Sequence, residues 1–135
     1  MTWEALHAAA LEARRHSHSP YSHFAVGAAV ETASGEIFAG ANVENRSFGV
    51  TLCAERSAFA AAVSAGHRRF RAIAVVTSTT PPSAPCGICR ETMAEFCTAA
   101  TPIGLFNLEG DRRVLSLGEL FPEPFEFPAG ETSGS

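Results

Sequence analysis

Apolar positions recur along this chain with two alternating periods. At the N-terminal end Trp3, Leu6, Ala10 and Leu11 share one stripe of a helix, with Thr2 placed to cap it and Arg14, Arg15 and His16 placed at its negative end. Pro20 disfavours helical backbone at Ser19 and ends the pattern. Over 24–31 the period drops to two, with Phe24, Val26, Ala28 and Val30 on one face of a strand. Ser34-Gly35 is a turn signal, and 36–43 reads as the returning strand of a hairpin. Helical spacing returns over 53–65 and 87–97, while 72–77, 102–106 and 113–115 read as strands. Helices that alternate with strands must cover a sheet. The expected fold class is therefore α/β, a three-layer α/β/α sandwich.

Length and composition narrow this reading. A chain of 135 residues, 46% hydrophobic and 18% charged, is globular and long enough to bury a core. Residues 1–127 read as one domain without repeats, and 128–135 as a flexible tail. The net charge is −4, and the one basic cluster, His67-Arg68-Arg69-Phe70-Arg71, reads as a solvated turn after Gly66. A grip on polynucleotide needs a broad positive surface, so no nucleic-acid partner is expected. No apolar run approaches the roughly 18 to 20 residues that span a bilayer. Glu4 and Glu12 interrupt what would have to be the apolar part of a leader, so reduced cytoplasmic thiols holding a metal are expected rather than disulfides.

The thiols carry the chemistry. Pro85-Cys86-Gly87-Ile88-Cys89 places two sulfurs two residues apart before a helical run, a strong metal-ligand unit. Thr51-Leu52-Cys53-Ala54-Glu55-Arg56 supplies a third thiol beside a carboxylate. Cys53 and Cys86 both precede helical runs, and a helix N-terminus favours the thiolate that binds metal. Cys97 lies eight residues beyond Cys89, roughly 12 Å along the same helix, and cannot share the metal. Three ligands leave zinc a fourth position for water, as in catalytic rather than structural sites. A structural knuckle would need a fourth Cys or His, and none has suitable spacing; His16 and His18 read as part of a polar loop.

With Cys-Ala-Glu followed by Pro-Cys-x-x-Cys, the chain resembles the cytidine deaminase family of zinc-dependent nucleoside deaminases. YSHFAVGAAV at 21–30, NVEN at 42–45, 51–56 and SLGEL at 116–120 are also similar to that family, so the resemblance runs from about Pro20 to Phe125. It implies a five-stranded mixed sheet, one Zn²⁺ per chain on Cys53, Cys86 and Cys89, and a homotetramer with Phe125 near a neighbouring site. It implies that Asn42 and Glu44 grip the ribose, that Phe24 stacks on the base and that Arg56 bonds the zinc thiolates. Glu55 is placed to move protons as general acid and base. The Ala54 N–H, at a helix start where such groups lack partners, is placed to bond the 2-oxo group of the base.

The expected activity is hydrolytic deamination of cytidine and deoxycytidine in pyrimidine salvage. A deaminase of a modified nucleoside or nucleoside antibiotic is the alternative within the enzyme class, and a zinc-stabilised binding module without turnover the alternative outside it. Three positions depart from the family pattern: Arg46 and Phe48 replace small and tyrosine residues, and Glu91 replaces the glutamine that follows Cys-Arg. An added anion beside thiolates needs a partner, and Glu91 is expected to pair with Arg56, with Arg46 as the second candidate.

Overall fold

The computed structural model describes residues 2–126. Thr2 caps helix α1 (Trp3–Arg14), its hydroxyl accepting the Ala5 N–H at 3.4 Å. The hairpin follows as β1 (Gly27–Thr32) and β2 (Ile37–Ala41), and a short 3₁₀ turn at Phe48–Val50 leads towards α2 (Ala54–Ser64). The rest of the chain is β3 (Phe70–Val76), α3 (Gly87–Phe96), β4 (Pro102–Phe106), β5 (Arg112–Ser116) and α4 (Leu117–Leu120). Ser116 and Glu119 cap α4 reciprocally, each side chain bonding the other's backbone N–H.

The strands form one mixed sheet of order β2-β1-β3-β4-β5, parallel between β3 and β4 and antiparallel elsewhere. Both faces are covered. Ala28, Val30, Ile73, Val75, Ile103 and Leu105 face Ala58 and Phe59 of α2 and Met93 of α3. Ala29, Ala72, Ala74 and Val76 face Leu6 and Ala10 of α1. A strand buried on both sides has no polar face, which is why all six residues of β1 are buried. The architecture is the three-layer α/β/α sandwich with a five-stranded mixed sheet.

β1 starts later than its period predicts. Residues 24–26 lie outside the ladder because the Asn42 side chain occupies their backbone groups, accepting the Val26 N–H at 2.9 Å and donating to the Phe24 carbonyl at 2.7 Å. The expected tail at 128–135 and the domain boundary after 127 lie outside the described residues.

Two contacts fix the helices that carry the thiols. The Phe59 ring meets Phe70 edge-on at 4.9 Å and stacks on Phe96 at 5.8 Å, tying α2 to β3 and to the end of α3. Each such pair contributes about 0.5–1.5 kcal/mol beyond the area it buries. Gly40 in β2 lets α2 lie directly on the sheet: a Cβ there would stand 2.6 Å from the Ala58 nitrogen and from the Ser57 Cβ.

Candidate active site

Cys53 and Cys86 are the residues immediately before α2 and α3, and neither sulfur caps its own helix. Both are therefore free to face each other across the gap between the helices. Their Sγ atoms lie 3.7 Å apart, and Cys86 Sγ lies 3.5 Å from that of Cys89, one turn into α3. Four tetrahedral Zn–S bonds of about 2.3 Å imply sulfurs about 3.8 Å apart. A disulfide would need about 2.05 Å, and all the cysteines are free. The donor set fits zinc in number, softness and spacing. Among the described residues it is the one cluster of three or more candidate ligand groups. Cys97, capping the far end of α3, takes no part in it, and burial pushes its thiol up to about 12.

Cys53 and Cys89 are shifted in opposite directions. Cys53 is drawn down to about 5, first by the hydrogen bond it receives from Cys89 and then by the Arg56 guanidinium. Cys89 is pushed up because it gives that hydrogen bond and because it is buried. The thiol that is drawn down is the one beside the Arg56 guanidinium. Arg56 Nη2 donates to the Thr51 carbonyl at 2.9 Å and lies 3.7 Å from Cys53 Sγ. Its Nε is buried with no partner among the described residues.

The expected pairing of Arg56 with Glu91 does not occur. Glu91 is exposed and makes no ion pair among the described residues. It sits two residues round α3 from the buried Cys89, about 200° at 3.6 residues per turn, which turns it to solvent. Arg90 serves the fold, its Nε donating to the Pro85 carbonyl at 2.9 Å and its Nη1 to the Leu120 carbonyl.

Two of the thiols, Cys53 and Cys86, open on a cavity of about 260 Å³. Phe24, Asn42, Glu44, Ala54 and Glu55 all line it, together with Cys53 and Cys86. Glu55, only 4% exposed in the first turn of α2, is pushed up to about 7, chiefly by burial and then by the charge on Cys53. A carboxyl at that value exchanges its proton readily near neutral pH. Ala54 is the first residue of α2, so its N–H has no carbonyl behind it in the helix.

Asn42 and Glu44 are themselves held by residues that periodicity did not single out. Ser17 Oγ donates to Asn42 Oδ1 at 2.5 Å. Glu44 Oε1 accepts the Tyr21 and Ser22 N–H groups at 3.0 and 3.1 Å, and Oε2 accepts the Ser22 hydroxyl. That hydroxyl is the main reason the Glu44 carboxyl lies below its ordinary value. One Asn42 N–H is used on Phe24, and the second remains for the cavity. Val75, Thr77 and Ser83 complete the wall. Their only sequence signal was position: Ser83 stands three residues before Cys86, and Thr77 closes the β-branched run. Phe125 is 74% exposed and does not line the cavity.

A family model of the cytidine and deoxycytidylate deaminase zinc-binding region matches residues 1–105. The chain belongs to this family. It is 46% identical over 125 residues to the cytidine deaminase of Sporosarcina psychrophila, covering 93% of this chain and 92% of that one. It is 48% identical over 116 residues to that of Halalkalibacterium halodurans, covering 86% and 88%. The crystal structure of cytidine deaminase from Burkholderia pseudomallei superposes with a TM-score of 0.89 at 49% identity, covering 93% of this chain and all 100% of that one. As a deaminase-family chain it keeps its departures outside the cavity: Arg46 and Glu91 are exposed, and Phe48, 73% exposed, meets the Tyr21 ring edge-on at 5.8 Å.

Proposed function

We propose that this chain hydrolyses cytidine and deoxycytidine to uridine and deoxyuridine with release of ammonia, as a zinc enzyme of pyrimidine salvage in the cytoplasm. The observation that carries the reading is the buried Glu55 carboxyl lining one cavity with Cys53 and Cys86, whose thiols converge with that of Cys89. Zinc held by Cys53, Cys86 and Cys89 would supply an acidic water, lowering its pKa from 15.7 to about 7. Glu55 takes up a proton at its carboxylate, delivers it to the ring nitrogen of the base and then serves the departing amine. Arg56 offsets the thiolate charge at Cys53. The Ala54 N–H holds the 2-oxo group, Phe24 covers the ring, and Asn42 with Glu44 receives the sugar hydroxyls. A binding module has no use for a buried carboxyl at the metal, and Arg46 and Glu91 lie too far into solvent to reshape the cavity for a modified base.

Glu44 also sets what is excluded. A fixed carboxylate at the sugar end repels a 5′-phosphate, so free nucleosides are preferred over CMP, and cytosine without a ribose forgoes the Asn42 and Glu44 contacts. The assembly we infer is a homotetramer with Phe125 near a neighbouring site. Exposed Leu52 in the cavity wall, and exposed Tyr21 and Phe48 in a hollow that shares Ser22, Glu44 and Thr51 with it, support it. No described helix is long and apolar enough to cross a membrane.

The test is to incubate zinc-loaded protein with cytidine, deoxycytidine, cytosine and CMP and to follow ammonia. Release from the two nucleosides is expected. No release from either overturns the reading, and comparable kcat/KM for CMP and cytidine overturns the part given to Glu44. Mass in solution tests the assembly, and an active monomer refutes it.

A further inference from the structure

One wall of the cavity carries hydroxyls that the reaction as described leaves unused. Thr77, only 3% exposed just past β3, and Ser83, just before the Cys86 unit, both line it. Thr79 stands behind them. A hydroxyl has one proton and two lone pairs. Thr79 Oγ1 donates to the Pro81 carbonyl at 2.8 Å, a partner that can only accept, so its proton is spent. It can then only accept from Thr77 Oγ1 at 3.1 Å and from Ser83 Oγ at 2.6 Å. Thr77 Oγ1 also receives the Ser83 N–H at 3.3 Å. Every proton in the network is then used within it. What remains free is lone pairs, two on Ser83 and one on Thr77.

We propose that Thr77, Thr79 and Ser83 form a polarised hydroxyl network that presents only acceptors to the cavity, so that this wall distinguishes an amino-bearing pyrimidine from the oxo-bearing product. The proposal rests on the deaminase reading above. An exocyclic amine offers N–H donors and gains a hydrogen bond here, whereas the oxygen that replaces it meets lone pairs with a lone pair. Thr77 and Ser83 line the same cavity as Cys53 and Cys86, so a ring bound there shares one cavity with both the thiols and the hydroxyls. The same polarity that retains substrate promotes loss of product. Thr77 and Ser83 are specificity residues, and Thr79 is a positioning residue that acts through them.

The experiment uses zinc-loaded Glu55→Gln protein, in which turnover is suppressed, titrated calorimetrically with cytidine and with uridine. Ser83→Ala and Thr79→Val are then added singly to that background. Each should lower the preference for cytidine over uridine by about twofold to tenfold, the value of one hydrogen bond. The routes differ. Ser83→Ala should weaken cytidine, whereas Thr79→Val should tighten uridine, because the freed Thr77 and Ser83 protons can turn towards the oxo group. A merely structural role would weaken both ligands alike, and an unchanged ratio in both variants overturns the proposal. If the chain with Glu55 intact releases no ammonia from cytidine, the deaminase reading fails separately, and the binding ratio still decides the wall.

Discussion

Replacing Arg56 by alanine should loosen zinc before it disturbs the fold. Three thiolates on Zn²⁺ would leave a net charge of −1, and Arg56, 3.7 Å from Cys53 Sγ, is the guanidinium placed to offset it. A hydrogen bond to a charged group contributes about 1.5–3 kcal/mol. The long contact and the half-exposed side chain argue for the low end, about 1.5 kcal/mol, or about tenfold in zinc affinity. Loss of a group that orients a metal ligand typically costs about 10- to 100-fold, so two independent estimates meet near tenfold. Arg56 also anchors the Thr51 carbonyl at 2.9 Å, so Arg56→Lys, which keeps charge but not the fork, should recover only part of the affinity. Competition against a chromophoric zinc chelator reads the dissociation constant directly, and circular dichroism of the same samples controls for folding. Wild-type zinc affinity in a folded Arg56→Ala protein would refute the charge argument.

Glu55→Gln should keep fold and zinc content yet lose about 10²- to 10⁴-fold in cytidine turnover, and near-normal rates would remove Glu55 from proton transfer. Cys97→Ala should retain one zinc per chain, whereas Cys53→Ala, Cys86→Ala and Cys89→Ala should each lose it; metal analysis that finds Cys97→Ala empty contradicts the ligand set. Gly40→Ala should destabilise by about 1–3 kcal/mol, because the added methyl meets the backbone and Cβ of α2 rather than a flexible tip. Chemical denaturation checks that figure, and zinc affinity should fall with it, since α2 carries Cys53 and Glu55.

Much of the metal chemistry could be read before the fold was known because it depends on short spacings. Cys86 and Cys89 are one helical turn apart, and Cys53 with Glu55 share another helix start, so each half-site is local. The helix boundaries at Ala54 and Gly87 fell where the periods placed them, to within a residue. Strand order was less accessible. Period two marks a strand but says nothing of its neighbour, and β1 lost its first residues to the side chain of Asn42, sixteen positions from Val26. The pairing of Glu91 with Arg56 failed for a related reason: proximity to Cys89 in the chain did not say which side of α3 faces the metal.

The amino-acid order by itself determined the layers, the three thiols and the carboxylate beside them, because helical period, strand period and ligand spacing act over a few residues. Only the tertiary structure decided that α2 and α3 dock with their N-termini together, bringing Cys53 Sγ within 3.7 Å of Cys86 Sγ across thirty-three positions. It alone decided the hydroxyl network of Thr77, Thr79 and Ser83, and the support of Glu44 by Ser22. Hydrogen bonds depend on the direction of individual atoms, and that direction exists only once the backbone has closed around them.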